Sequence, residues 1–398
     1  MSWPLVSIGS IAKVVGGYAF KSKDFVEVGS PIVRISNVKN GIVDLSKAAR
    51  IPEHKLENGK KYNIETGSLL IAMSGATTGK VGRYFPLDDN PAYLNQRVGK
   101  FDCNESLINQ DYLWFFTQSS TCQKQIGFLA EGAAQPNISG SQIESIEIPL
   151  PPLETQKKIA AVLEKADQLR KDCKLLEQEL NSLAESVFID MFGDPVTNPK
   201  GWEVAPLDTV TKVQIGPFGS QLHKEDYISD GIPLINPTHI VKGSIIPDTN
   251  LTLTIEKFNT LPNYHLMLGD IIMGRRGEMG RTALVDDSCK GWFCGTGSLF
   301  IRPKSKLIQS VYLNSLMSCS SMKTWLEEQS LGATMPNLNK KILHSIQVPI
   351  PPKKLQTNYA VALDILKNQR LEHKQQVKEL NMLFNTLMQK AFKGELNL

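Results

Sequence analysis

The sequence predicts an α+β protein with an internal repeat, in which two strand-rich domains alternate with two long helices. Three observations support this class. Strings of residues recur about 200 positions apart. Short apolar runs broken by Gly, Pro, Asn and Asp fill residues 1–150 and 196–350. Residues 151–195 and 351–398 carry apolar residues at heptad spacing.

The repeat stays in register along the chain. Residues 148–156 match residues 348–356 around a shared proline pair, and residues 67–71 match residues 269–273. Shorter strings agree as well: residues 135–138 match residues 335–338. A period of half the chain is far too long for a solenoid, so it indicates a duplicated domain. At 398 residues, each half is long enough to bury its own core.

Each strand-rich domain is also predicted to hold one shorter helix. Polar and apolar residues alternate at helical spacing over residues 110–119 and again over residues 309–331, where the helix could be broken. The remainder of both domains is expected to be short strands joined by much irregular backbone.

The two long segments are predicted to be helices. Residues 155–192 contain neither Gly nor Pro, and residues 355–392 end just before Gly394. Their apolar residues follow steps of four and three, the pattern of a coiled-coil seam. The predicted seam residues are Val162, Ala166, Leu169, Cys173, Leu176, Leu180, Leu183, Ala362, Leu366, Leu380, Leu383 and Leu387. His373 lies mid-seam in the second helix, where a polar residue can fix register.

A helix of about 37 residues is roughly 55 Å long. A helix with such a stripe needs a partner, and the other long helix is the natural one. We therefore expect an antiparallel coiled coil with pseudo-two-fold symmetry that separates the two strand-rich domains.

Composition excludes several classes of protein. The net charge is only +4, so any binding of nucleic acid must depend on locally sorted charge or on a partner that supplies part of the electrostatic field. No apolar run approaches the roughly 20 residues of a membrane span. The six cysteines form no Cys-x-x-Cys pair, which predicts reduced thiols in a cytoplasmic protein.

Glycine-rich turns followed by a basic residue are the first candidate functional sites. Residues 75–81 resemble a phosphate-binding loop, but they are one residue short, and Val81 stands where a Ser or Thr should hold magnesium. The repeat places residues 277–281 at the same point, so both copies have a tight turn and then a cation, Lys80 or Arg281. Such a turn can approach DNA closely, although a solvated hairpin tip would give the same pattern.

A second candidate loop mixes glycine, aromatic and basic residues after the first strand of each domain, in residues 17–24 and 216–224. Those side chains suit base edges and phosphates, although an ordinary loop with an inward-packed Phe is the alternative. A third candidate, Gln96 with Arg97, could instead belong to a buried strand. The candidate DNA-binding residues are Lys21, Lys23, Lys80, Arg83, Gln96, Arg97, Gln221, His223, Lys224, Arg275, Arg276 and Arg281.

Catalytic motifs are weak. Residues 90–93 nearly spell the Asn-Pro-Pro-Tyr of adenine methyltransferases, but Ala92 replaces a proline and the second copy lacks the string. Asp44 with residues 53–55 formally offers a nuclease pattern, which Pro52 argues against. The six histidines show no metal-ligand spacing. We therefore expect no catalytic residue, no metal and no cofactor.

Taken together, these strings resemble the S (specificity) subunit of type I restriction–modification systems over essentially the whole chain. The resemblance rests on the two proline-pair strings and on the ends of the long helices, residues 191–202 and 391–396. It implies target recognition domains at 1–150 and 196–350, each binding half of a bipartite DNA target, and spacer helices at 151–195 and 351–398. The implied partners are double-stranded DNA, two methyltransferase (M) subunits and restriction (R) subunits.

One departure from the family pattern concerns the starts of the helices. The family string usually has Glu-Gln after the prolines, whereas Thr155 here separates Glu154 from Gln156, and the second copy has lost the acid. Two other functions stay open: a solitary nuclease or methyltransferase, and a scaffold or anti-restriction protein that binds M subunits without its own DNA specificity. The DNA target and its gap length do not follow from the sequence.

Overall fold

A computed structural model describes residues 3–39, 41–130, 136–218, 221–276, 280–330 and 337–396. Its contacts define two compact units. Unit 1 comprises Met1–Lys174 with Gln375–Leu398, and unit 2 comprises Leu175–Lys374. The division falls inside both long helices and not at the ends of the strand-rich segments, so each unit contains one strand-rich domain and parts of two helices.

Unit 1 holds ten strands in three sheets. A five-stranded sheet has the order β2-β9-β6-β7-β4, a three-stranded sheet has the order β5-β3-β8, and β1 pairs with β10. The strands are β1 (Leu5–Ser7), β2 (Ala12–Gly16), β3 (Ser30–Val33), β4 (Gly41–Ile42), β5 (Ala49–Ile51), β6 (Leu69–Ala72), β7 (Val81–Arg83), β8 (Tyr93–Leu94), β9 (Val98–Cys103) and β10 (Glu147–Pro149). The short apolar runs of the sequence thus form short strands, as expected.

Three short helices accompany these sheets: α1 (Gln110–Gln118), α2 (Ser120–Ala130) and α3 (Gly140–Glu144). The predicted helix at 110–119 is confirmed. The Asn109 side chain caps α1 by accepting a hydrogen bond from Tyr112 N. Ser119 then adopts an extended conformation that separates α1 from α2.

The core of unit 1 joins the five-stranded sheet to α1 and to parts of both long helices, α4 (Leu153–Phe192) and α10 (Lys353–Lys393). Leu163 from the beginning of α4 and Phe392 from the end of α10 belong to the same buried cluster. The Phe392 ring packs against those of Tyr112 and Phe116 at centroid distances of 5.2 and 5.4 Å. The start of one long helix and the end of the other thus share one core, which is the antiparallel pairing that the sequence predicts.

Unit 2 repeats this plan with variations. A four-stranded sheet has the order β12-β21-β18-β19, a second has the order β13-β17-β14-β20, and β11–β22 and β15–β16 form two pairs. The strands are β11 (Val204–Pro206), β12 (Thr211–Ile215), β13 (Tyr227–Ile228), β14 (Ile232–Ile235), β15 (Ile240–Val241), β16 (Ser244–Ile245), β17 (Thr252–Leu253), β18 (Ile271–Gly274), β19 (Thr282–Leu284), β20 (Phe293–Cys294), β21 (Ser298–Pro303) and β22 (Gln347–Pro349).

The short helices of unit 2 are α5 (Leu207–Val210), α6 (Ile255–Thr260), α7 (Ser310–Ser318), α8 (Ser320–Gln329) and α9 (Lys340–His344). Three of them, α7, α8 and α9, match α1, α2 and α3, whereas α5 and α6 stand where unit 1 has 3₁₀ turns. The predicted break within residues 309–331 lies at Cys319, which is extended. Phe192 packs on Tyr312 at 4.7 Å and on Tyr359 at 5.2 Å, so the end of α4 and the start of α10 share this core.

Both long helices are present, and each begins two residues before its predicted start. Several of the predicted seam residues are at least half-buried. Ala166, Cys173 and Leu180 of α4 are half-buried, and so are Ala362, Leu380 and Leu387 of α10, while Leu366 is 8% exposed. None of the helices in the described part of the chain has the length and apolarity to cross a lipid bilayer.

The other seam positions are wrong. Exposed fractions are 39% for Val162, 50% for Leu169, 45% for Leu176, 40% for Leu183 and 53% for Leu383. At each of these points the next residue in the sequence is more buried than the predicted seam residue. Leu163 is fully buried, and Arg170 stacks on the ring of Phe384 with its Cζ 4.3 Å from the centroid. A seam that accepts an arginine cannot be located from apolar spacing alone.

Candidate nucleic-acid interface

In unit 1, three loops that the sequence singles out meet at one place. Tyr18 N donates a hydrogen bond to Leu94 O over 2.8 Å, and Gln96 N donates to Tyr18 O over 3.0 Å. Met73 N, at the end of β6, donates to Arg97 O over 2.9 Å. The loop at 17–24, the glycine turn after β6 and the turn between β8 and β9 therefore form one continuous surface.

Glycine is required where two of these loops touch. A Cβ atom on Gly17 would lie 2.0 Å from the carbonyl oxygen of Leu94. Unit 2 has the same close approach, since a Cβ on Gly216 would lie 2.0 Å from the oxygen of Gly295. The loop can lie against the neighbouring turn only because no side chain intervenes.

The glycine turn of unit 1 is a single 3₁₀ turn, Gly75–Thr77, that leads into β7 and not into a helix. Gly75 and Gly79 have φ values of 74° and 82°, which favour glycine. Gly75 N and Thr78 Oγ1 both donate to Pro136 O over 2.9 Å. The helix N-terminus that cradles phosphates in a nucleotide-binding loop is not part of this turn.

Most candidate side chains of unit 1 are accessible at this surface. Lys21, Lys23, Gln96 and Arg97 are exposed, and Lys80 is half-buried. Gln96 and Arg97 occupy the turn before β9, so the alternative interpretation of a buried strand is wrong for them.

Arg83 has a structural role that argues against DNA binding. Its Nη2 donates to Asp111 Oδ1 over 2.6 Å, and its Cζ lies 4.9 Å from the centroid of the Trp114 ring. A guanidinium that already has a carboxylate and an aromatic partner would have to give up both to bind phosphate. We therefore remove Arg83 from the candidates.

Unit 2 assembles the same segments, and part of the backbone bonding is the same. Arg275 N donates to Gly297 O over 3.1 Å, as Met73 N does to Arg97 O in unit 1, and Gly216 N donates to Ser298 O over 3.0 Å. Arg276 forms a β-bridge with Asn337, as Ser74 does with Asn137 in unit 1. Pro217 stands where unit 1 has Tyr18 and cannot donate the bond that Tyr18 N makes to Leu94 O. Residues 219–220 and 277–279 of the candidate loops lie outside the described residues.

The side chains on the unit 2 surface differ from those of unit 1. His223, Lys224 and Arg276 are exposed, and Arg281 is half-buried. Gln221 is exposed too, although its Oε1 accepts a hydrogen bond from the Tyr264 hydroxyl over 2.9 Å.

The alternative of an inward-packed Phe holds for only one of the two loops. Phe20 is half-buried, with its ring centroid 5.1 Å from that of Tyr18, whereas Phe218 is 64% exposed. An exposed ring beside basic residues can stack on a base or pack on a sugar.

Arg275 is unusual among the candidates because it is only 7% exposed. Its Nε is buried and has no hydrogen-bond partner among the described residues. Burial, and then the nearby charge of Arg276, lower the pKa of the Arg275 guanidinium.

Sequence reasoning missed two contributors. Arg34 is half-buried, with its Nε unpaired and its Cζ 5.6 Å from the centroid of the Phe25 ring. Asn137 and Asn337 extend the surface through their bridges to Ser74 and Arg276. The repeated Pro-Asn string was a usable signal for the asparagines, whereas no sequence pattern marks Arg34.

The motifs that suggested catalysis have structural roles. The Ser46 hydroxyl donates to Asp44 Oδ1 over 2.7 Å, and this bond lowers the pKa of the carboxyl group while closing a turn. Tyr93 is 7% exposed and lies in β8. Within the described ranges, no three His, Cys, Asp or Glu side chains are placed to hold a metal ion.

A family model described as the type I restriction modification DNA specificity domain matches residues 2–183 and again residues 199–382. The chain is 25% identical to the type I restriction enzyme EcoBI specificity subunit of Escherichia coli, over 99% of this chain and 86% of that protein. It is 24% identical to the MjaIX specificity subunit of Methanocaldococcus jannaschii, over 99% and 93% of the two chains.

Solved structures support the fold. A chain from a study of complex assembly and conformational transition of the type I R-M system has a TM-score of 0.63 and 19% identity, over 99% of this chain and 98% of that one. The type I restriction–modification S subunit from M. genitalium has a TM-score of 0.55 and 18% identity, over 98% and 96% of the two chains.

Proposed function

The chain belongs to the type I restriction modification DNA specificity family, and from that premise we propose that each unit binds one half of a bipartite double-stranded DNA target. The two long helices set the spacing between the halves. The chain itself performs no chemistry and acts in the cytoplasm as the DNA-recognition subunit of a restriction–modification complex. None of the six cysteines, which all lie within the described ranges, forms a disulfide, and this fits a reducing compartment.

One observation carries this proposal. In both units the glycine turn meets the turn before β9 or β21 through an equivalent backbone hydrogen bond, from Met73 N or Arg275 N. The side chains of the loops differ, since unit 1 carries Lys21 and Arg97 whereas unit 2 carries His223 and Arg275. A shared backbone with different polar side chains suits two surfaces that bind similar DNA grooves but different bases. The two half-sites should therefore differ in sequence.

The partner enzymes of this complex are two methyltransferase subunits, joined by restriction subunits. Docking of the methyltransferase subunits on the long helices is supported by apolar side chains on their exposed sides. Val162, Leu169, Leu176 and Leu183 recur every seven residues of α4 and are 39–50% exposed. Exposure of such an apolar stripe to water is unfavourable, so its burial against a partner would be favourable.

A mobility-shift assay tests the function directly. The purified chain, alone and with its methyltransferase subunits, is mixed with unmethylated duplexes. These carry either the sequence motif at which the host genome is methylated or a scrambled version of it. We expect weak binding alone and strong, motif-dependent binding in the complex. A complex that assembles but does not distinguish the duplexes would support the scaffold or anti-restriction alternative, and methyl transfer or cleavage by the chain alone would support an enzyme.

A further inference from the structure

Each unit contains an equivalent pair of residues joined by a backbone hydrogen bond, and one residue of each pair is an arginine. The arginine is the acceptor residue of the pair in unit 1 and the donor residue in unit 2. In unit 1, Met73 N donates to Arg97 O over 2.9 Å. In unit 2, Arg275 N donates to Gly297 O over 3.1 Å. Met73 and Arg275 are equivalent, because Ile138 N donates to Met73 O over 2.9 Å and Leu338 N donates to Arg275 O over 3.0 Å. An arginine therefore stands on one member of this backbone pair in unit 1 and on the other member in unit 2, exposed as Arg97 and buried as Arg275.

Buried polar atoms without partners concentrate around Arg275. Nine such side-chain atoms occur among the described residues, and four of them lie in this one region: Arg275 Nε, Thr282 Oγ1, Ser298 Oγ and Asn337 Oδ1. These residues are neighbours along the backbone, since Ser298 pairs with Gly274, Thr282 pairs with Met273, and Asn337 bridges Arg276. Thr282 and Ser298 lie on opposite faces of the sheet, because their partners are successive residues of β18. Unpaired buried polar groups are rare in native proteins, so the Nε of Arg275 is itself a group that a ligand or water would complete.

The charge of Arg275 indicates what kind of ligand this is. No carboxylate of the described residues pairs with its guanidinium, and the neighbouring charge in the structure is that of another arginine, Arg276. A buried, unpaired cation beside a like charge is costly for the free protein. The free energy is recovered when acceptor atoms enter the site, so the ligand must present strong hydrogen-bond acceptors.

Two parts of DNA present such acceptors, the phosphates and the guanine edge in the major groove. Phosphate contacts are commonly made by exposed cations, and Arg276, the next residue in the sequence, is exposed. Arg275 differs from them because burial holds its side chain in one orientation. A fixed guanidinium matches the paired N7 and O6 acceptors of guanine, which demand a defined geometry.

We propose that Arg275 contacts a guanine edge in the half-site bound by unit 2, and that Arg97 makes the equivalent contact in the half-site bound by unit 1. Arg97 is exposed, so its assignment rests on its backbone position opposite Met73 and not on burial. This inference rests on the proposed function and adds the two specificity-determining residues. It requires a guanine in both half-sites. Arg276 contributes phosphate affinity and not base choice.

Variants that borrow from the other copy test this proposal with little risk to folding. Arg275→Met installs the residue of the equivalent position in unit 1, and Arg97→Gly installs that of unit 2. Each full-length variant is assembled with the methyltransferase subunits, and its thermal unfolding is compared with that of the wild type. Affinities are then measured for duplexes of the wild-type motif in which each guanine is replaced, one at a time, by 7-deazaguanine, which lacks the N7 acceptor.

Arg275→Met is expected to weaken binding of the unmodified duplex by about 5- to 150-fold, the discrimination of a good arginine–guanine pair. One guanine of one half-site should then become insensitive to 7-deazaguanine in this variant, although it is sensitive in the wild type. Arg97→Gly should have the same effect in the other half-site. Arg276→Ala, the control, should weaken all duplexes by one common factor.

Three results would overturn the proposal while the proposed function stands. One is a half-site without guanine. Another is an Arg275→Met complex that loses the same factor on every duplex, which would assign Arg275 to a phosphate or to folding. The third is coupling of both arginines to one half-site. Failure of the wild-type complex to prefer any motif would instead reject the proposed function, and this inference with it.

Discussion

Gln156 and Gln356 make the same three hydrogen bonds at the starts of the two long helices. The Oε1 of each accepts from a backbone amide, Asn109 N or Gln309 N, over 2.8 Å. The Nε2 of each donates to the carbonyl of its proline, Pro151 or Pro351, over 2.8 or 2.9 Å. A third bond joins Nε2 to Leu107 O over 3.1 Å and to Leu307 O over 2.8 Å. The repeated proline–glutamine string thus fastens each helix to a strand-rich domain.

This arrangement explains why the departure from the family string is tolerated. Glu154 forms only an exposed ion pair with Lys157, at 2.8 Å. Lys354, which aligns with Glu154 in the second copy, leaves the start of α10 at Lys353 unchanged because Gln356 keeps its bonds. The glutamine, and not the preceding acid, carries the structural role of the string.

Replacing Gln156 by Ala should destabilise the junction of unit 1 by about 2–4 kcal/mol, since the change leaves buried backbone groups without partners. Hydrogen exchange measures this locally, because the Asn109 amide donates to the lost oxygen. We expect faster exchange at Asn109 and unchanged exchange at Gln309. Glu154→Ala is the control and should leave the stability nearly unchanged, because the ion pair of Glu154 is exposed to solvent. Equal exchange at Asn109 in both variants would contradict this role.

A second prediction concerns which residues of α4 are packed. Leu163→Ala should cost about 2–5 kcal/mol because Leu163 is fully buried, whereas Leu169→Ala should cost less than about 1 kcal/mol because Leu169 is half exposed. Thermal unfolding of the two full-length variants, followed by circular dichroism, compares them. A larger loss for Leu169→Ala would show that the original seam was right.

Leu169→Ala should nevertheless weaken assembly with the methyltransferase subunits if the exposed stripe is their docking surface. Isothermal titration with the purified subunit measures this. Unchanged affinity in this variant and in Leu176→Ala would argue against docking there.

A third prediction concerns the close approach at the candidate interface. Gly17→Ala places a Cβ 2.0 Å from the Leu94 oxygen, so the loop must move away from the turn. The complex should lose affinity for the half-site bound by unit 1 and keep its choice of bases in the other half-site. Gly127→Ala is a matched control, because that Cβ would meet no atom within 4 Å and alanine favours a helix. Equal affinities of the two variants would contradict the assigned geometry.

A fourth prediction follows from a cysteine pKa. Burial raises the pKa of Cys122 to about 12, so only about one thiol in ten thousand is ionised at pH 8. Because the thiolate is the nucleophile, iodoacetamide should modify Cys122 in the folded chain only very slowly, and faster as the pH rises. Mass spectrometry follows the modification, with the denatured chain as control. Comparable rates for the folded and denatured chains at pH 8 would show that the site opens readily.

The sequence predicted some levels of this structure better than others. Runs free of Gly and Pro located both long helices to within two residues, because these residues limit helices physically. The buried face of α4 was not predicted correctly, because it includes a charged residue. Asp167 is only 8% exposed and forms an ion pair with Lys171 at 2.8 Å. Apolar counting cannot detect a polar residue that its neighbours stabilise.

The candidate interface was predicted as separate loops, and the repeat identified the loops correctly as a set. Their meeting point depends on backbone bonds such as that between Met73 and Arg97, which join residues far apart in sequence. The burial of Arg275 depends on the same tertiary contacts, and sequence patterns favour exposure for an arginine. The sequence therefore identified the basic residues of these loops, but it did not show which guanidinium groups are buried and which are exposed.

The two units should recognise separate halves of one target. Methylated adenines are mapped across the host genome for the wild-type chain and for Gly17→Ala and Arg275→Met expressed in its place. We predict two short motifs separated by a gap of fixed length, with the first variant altering one motif and the second variant altering the other. A single uninterrupted motif, or a variant that alters both halves, would contradict the account.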